Sequence, residues 1–145
     1  MTGREPTPAG RRPASPASRL VAPGAAVAVA GAAFAYVGSV DPNEPGHYPV
    51  CPLLALTGVY CPGCGGLRSA HALAHGDVAA ALGANALAVL GFALFAVFVV
   101  FWVVRVLRSR PVTVPLRSPH WWALGAAALI FTVVRNLPAG SSLAP

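Results

Sequence analysis

Charged residues are absent from Leu20 to Val40 and again from Val78 to Val104, and a shorter uncharged apolar run covers Trp121 to Val134. At the rise of an α-helix the first run makes roughly 31 Å, the thickness of a bilayer's hydrocarbon core. The second is longer, with room to tilt or to begin before the membrane. The third makes only roughly 21 Å of helix. Trp121 and Trp122 suit one interface, and Arg135 can extend toward the other, so a crossing over residues 119–135 is expected. The pattern predicts an all-α integral membrane protein with transmembrane helices at about 20–40, 78–104 and 119–135. Its single membrane domain covers 20–137, between an arm at 1–19 and a short tail at 138–145.

Polar punctuation refines these elements. Residues 1–19 are rich in Pro, Ala, Ser and Arg without apolar periodicity and read as a disordered basic arm. Arg11-Arg12 resembles a twin-arginine export pair but lacks the apolar residues that should follow it. Pro23 fits the first turn of the first helix, where a missing N–H costs little. Gly24, Gly31 and Gly38 recur every seven residues on one face, where another helix could approach closely, in self-association or with another membrane protein. Ala33-Phe34-Ala35 resembles a signal-peptide cleavage site, but the apolar run exceeds a signal-peptide core, so an uncleaved anchor is expected.

The connection 41–77 has a different character. Asp41-Pro42-Asn43-Glu44-Pro45-Gly46 is turn chemistry, and Pro49, Pro52 and Pro62 predict extended backbone near the cysteines. A short helix is predicted from about Gly65 to His75, stopped by Gly76. Cys64, Arg68, His71 and His75 then share one stripe, with Leu67, Ala70, Leu73 and Ala74 opposite, a pattern that suits an amphipathic helix lying in the interface. Asp77 reads as the N-cap of the second long helix, and Asn85 as a polar group bonding a neighbouring helix.

Composition agrees with a membrane setting. Hydrophobic residues make up 56% and charged residues 10%, against about 25% charged in soluble domains. The net charge of +6 comes entirely from arginine. These arginines flank apolar runs rather than forming one basic face, which excludes nucleic acid as the expected partner and leaves the lipid bilayer. Arg4, Arg11, Arg12 and Arg19 precede the first run, and Arg105, Arg108, Arg110 and Arg117 follow the second. The cysteine loop holds only Arg68 and the tail region only Arg135. Positive-inside bias therefore predicts a plasma-membrane protein with a cytoplasmic N-terminus and an extracytoplasmic loop and C-terminus, on an oxidising side.

All three cysteines, Cys51, Cys61 and Cys64, lie in that loop. Three readings follow. The loop could be stapled by a disulfide or by buried thiols. A metal, zinc by preference, could be held by Cys51, Cys61, Cys64 and His71, although His71 stands roughly 10 Å along the helix from Cys64 if the helix begins there. Cys61 and Cys64 could perform thiol–disulfide chemistry, with Cys64 activated at a helix start beside Arg68. No nucleotide loop, Ser–His–Asp set, carboxylate pair or lipidation signal is present.

Cys51-Pro52, Leu56-Thr57-Gly58, Cys61-Pro62-Gly63-Cys64-Gly65, Arg68, Gly76-Asp77 and Asn85 together resemble the family of small bacterial membrane proteins catalogued as domain of unknown function 2752. The resemblance runs from about Val50 to Asn136, because an Arg-Asn pair like Arg135-Asn136 also closes that family's last helix. Leu67 stands where the family commonly has threonine. The resemblance implies membrane topology, marks the cysteine loop as the signature and supplies no substrate. The expectation is a non-enzymatic membrane component with a disulfide- or metal-stabilised loop. The alternatives are a membrane thiol oxidoreductase and a transport accessory using Asn85 and Arg135.

Overall fold

The computed structural model describes residues 16–113 and 117–143. Residues 1–15 of the arm expected at 1–19 lie outside the described residues, as does the end of the tail, and residues 16–19, expected to be disordered, instead open the first helix. Among the described residues five α-helices follow one another, α1 (Pro16–Ser39), α2 (Pro52–Thr57), α3 (Gly66–Ala74), α4 (Val78–Leu107) and α5 (Ser118–Arg135), and a 3₁₀ segment follows at Pro138–Leu143. No strand occurs among the described residues.

Among the described residues, two helices are long and apolar enough to cross a membrane. One is α1 over Ser18–Ser39, with a mean hydropathy of 1.9, and the other is α4, with 2.9. Both are largely exposed, and Leu90, Leu94, Val97 and Val100 of α4 each face outward. α5 occupies the third expected segment, but this 18-residue helix, with His120 near its start and Arg135 at its end, is not one of the two.

Two local expectations change. α1 begins at Pro16, so Pro23 lies inside the helix and is buried there rather than occupying the first turn. Pro52 does not extend the chain but opens α2, where its fixed φ suits a first helical position.

The packed centre is α3, which lies against both α1 and α4. Small residues allow the approach. Gly38 of α1 faces Ala74, at 3.1 Å from its would-be Cβ, and Gly66 faces Ala88 at 3.8 Å. Ser69, Ala70 and Ala81 are buried in the seam, whereas Leu67 is 44% exposed. The inner face of α3 is thus its small residues, not its leucines. Phe34 of α1 and Phe92 of α4 meet edge to face at 5.2 Å between ring centroids.

Candidate functional site: a three-cysteine cluster

α4 is broken where it passes the cysteine loop. Asn85 has φ −164° and ψ 96°, outside helical values. Its side-chain oxygen accepts the Ala88 amide at 2.9 Å, as an N-cap does for a helix beginning there. A break leaves a carbonyl without its usual amide, and Ser69 supplies a donor: its hydroxyl reaches the Ala81 oxygen at 2.8 Å, with the Asn85 oxygen 3.3 Å away. The Asn85 amide nitrogen is thereby aimed at the loop, donating to the carbonyls of Pro62 and Cys64, each at 2.9 Å. The Asn85 side chain therefore bonds the cysteine turn rather than a neighbouring helix. Upstream, Asp77 caps α4 as expected, accepting the Ala80 amide at 2.8 Å.

The last helix grips the same turn. Arg135 is 1% exposed. Its Nη1 donates to the carbonyl oxygens of Cys61 at 3.2 Å and Cys64 at 3.0 Å, and its guanidinium lies over the rings of Phe131 and Tyr60. Asn136 brackets Tyr60, accepting its amide and donating to its oxygen, both at 2.9 Å. The expected extension of Arg135 to an interface is therefore overturned: the side chain points inward. The reason is local, because a tight turn between Cys61 and Gly65 leaves carbonyls with no helical partner, and Arg135 and Asn85 are the donors within reach.

These anchors hold the turn that carries Cys61 and Cys64, and Cys51 joins it. The Cys61 and Cys64 sulfurs are 3.1 Å apart, those of Cys51 and Cys61 3.6 Å, and all three lie within 4.8 Å of one another. Cys51 arrives as the N-cap residue of α2, and the hairpin back to Cys61 turns at Gly58, whose φ of 71° favours glycine. Gly65, at φ 82°, reverses the chain into α3 just after Cys64.

The thiols differ in environment. The Leu54 amide, and after it the Cys61 thiol, hold Cys51 below the usual thiol range. Burial, followed by the hydrogen bond with the Cys61 thiol, pushes Cys64 up to about 12. This reverses the expected activation of Cys64. α3 begins at Gly66, beyond Cys64, and the buried thiol gains nothing from that helix start that offsets its desolvation.

His71 is not brought to the cluster. Its Nδ1 lies 2.8 Å from the Val37 carbonyl of α1, and its Nε2 lies 3.9 Å from Asp41. His75 stacks beside it, with 4.4 Å between ring centroids. Arg68 is exposed, on the rim of an open cleft of about 510 Å³ that also borders Tyr48, Cys51, Tyr60 and Cys64. Sequence reasoning missed Ser69 and Tyr60 altogether. Neither carries a motif, and only the break in α4 and the position of Asn136 give them work.

A family model described as "Protein of unknown function (DUF2752)" matches residues 51–99, the family that the cysteine motif resembles. The match takes in the cluster, α2, α3 and most of α4, and leaves Arg135-Asn136 outside. No curated protein and no solved structure matches the chain significantly.

Proposed function

We propose that this chain is a small, non-enzymatic, multi-pass membrane protein whose three-cysteine cluster is a metal–thiolate site that ties the loop to the last helix. The observation that carries the reading is the convergence of three sulfurs within 4.8 Å. Sulfurs bound to one tetrahedral zinc at its usual bond length stand about 3.8 Å apart, so these thiols need little movement to share an ion. A disulfide would use only two of the three. With His71 engaged at Val37, the protein supplies three ligands, and the fourth position falls to water or another small ligand.

Three spans accord with the way both ends of the bundle meet the loop. Asn85, near the start of α4, and Arg135, at the end of α5, donate to the same Cys64 carbonyl. α5, roughly 27 Å long, thus returns from the far end of α4 to the side from which α4 started. The arginine distribution favours a cytoplasmic N-terminus with the loop and C-terminus outside the plasma membrane. α3 lies at that outer interface, with Leu67 toward lipid headgroups.

The test is the protein purified in detergent without reductant, with free thiols and zinc measured per chain. About one zinc per chain, with all thiols protected until a chelator is added, is the expected result. One free thiol and no zinc would replace the metal with a disulfide and reopen thiol–disulfide chemistry. Three free thiols without metal would remove both.

A further inference from the structure

Arg135 is a buried cation with no carboxylate partner among the described residues. Its Nε and Nη2 have no hydrogen-bond partner among those residues. The acidic groups among the described residues are occupied elsewhere: Asp41 accepts from Asn43, Glu44 lies 3.6 Å from His47, and Asp77 caps α4. Contacts with Phe131 and Tyr60 offset part of the cost of burying the charge, but a guanidinium out of water normally needs a full counter-charge. What it touches instead is the backbone of two cluster cysteines, Cys61 and Cys64.

Resting on the metal–thiolate reading, we infer that Arg135 is the counter-cation of the loaded cluster and biases it toward divalent ions. When three thiols bind a divalent ion they release three protons, and the complex carries one net negative charge. Arg135 brings the sum to zero. A monovalent ion in the same three-thiolate cage would leave one negative charge uncompensated in a buried place, which is costly. Only the charge enters this account, so a probe that forms a neutral three-thiolate complex is indifferent to Arg135.

Arsenite is such a probe. As(OH)₃ condenses with three thiols to give a neutral trithiolate and three waters. Cadmium, a divalent stand-in for zinc, gives an anionic trithiolate and three released protons. The experiment measures the affinity of the purified full-length protein for both, in wild type, Arg135→Gln and Arg135→Lys. Arg135→Gln is expected to weaken cadmium about 10- to 100-fold, as the loss of a nearby buried charge implies, and to leave arsenite within about threefold, inside the scatter of single interactions. Arg135→Lys is expected to keep the wild-type ratio of the two affinities. Equal loss of both probes in a monodisperse Gln variant, or loss of neither, overturns the inference and leaves the cluster standing. If the Gln variant does not fold, the Lys variant decides, and a fall in its cadmium-to-arsenite ratio overturns the inference. Wild type that binds neither probe overturns the cluster and the inference together.

Discussion

At the scale of single residues, the fold turns on a few polar groups that satisfy one irregular stretch of backbone. Asn85 does two tasks with one side chain: its oxygen restarts α4 at Ala88, and its amide holds the carbonyls of Pro62 and Cys64. Replacing it with alanine strands buried carbonyls, which costs about 1–3 kcal/mol. Asn85→Ala is therefore expected to lower the thermal unfolding midpoint in detergent and to make Cys64 react faster with a thiol reagent in the metal-free protein. Unchanged Cys64 reactivity would mean that the turn holds itself. The motif made Asn85 and Arg135 legible as important positions. Their partners were not, because a carbonyl without a helical amide is invisible until the turn is built.

At the scale of elements, α3 is the keystone between α1 and α4, and the glycine stripe of α1 divides into two parts. Gly38 is consumed inside the protein against Ala74, whereas a Cβ added at Gly24 or Gly31 would meet no other element within 4 Å among the described residues. Gly38→Leu forces side chain into packed structure and is expected to cost about 1–3 kcal/mol, seen as a lower unfolding midpoint. Gly31→Leu is expected to leave that midpoint unchanged. If the open part of the stripe binds a second copy, Gly31→Leu also abolishes crosslinked dimers in membranes, and persistent dimers would remove the stripe from the interface. The seven-residue spacing could be read directly, but it could not show which glycine is already used, because that depends on where α3 docks.

At the scale of the whole molecule, the path of α5 is the open question with the clearest physical handle. α4 carries an exposed apolar surface that water solvates poorly, and the chain then returns to the cysteine loop through Arg135 and Asn136. The proposed three crossings would put the C-terminus on the same side as the loop. Reporter fusions after residue 112 and at the C-terminus should therefore report opposite sides, with the loop, probed by an impermeant thiol reagent after chelation, agreeing with the C-terminus. Agreement between the two fusions would make α5 a surface helix and reduce the spans to two.

The three long helices were legible in the sequence, because uncharged runs of that length have few fates other than an apolar helix, whereas α2 was not. The three segments expected from hydropathy coincide closely with α1, α4 and α5, and the short helix after Cys64 falls within a residue of its expected ends. The sequence also placed every cysteine in one loop. Only the tertiary structure decided that the three sulfurs converge, that His71 turns away to Val37, and that Arg135 points into the protein rather than toward solvent. The physical reason is the same for each. Hydrophobic periodicity reports what a segment excludes from water, whereas the direction of a polar side chain is set by which unpaired backbone groups lie near it, and those belong to residues far away in the chain.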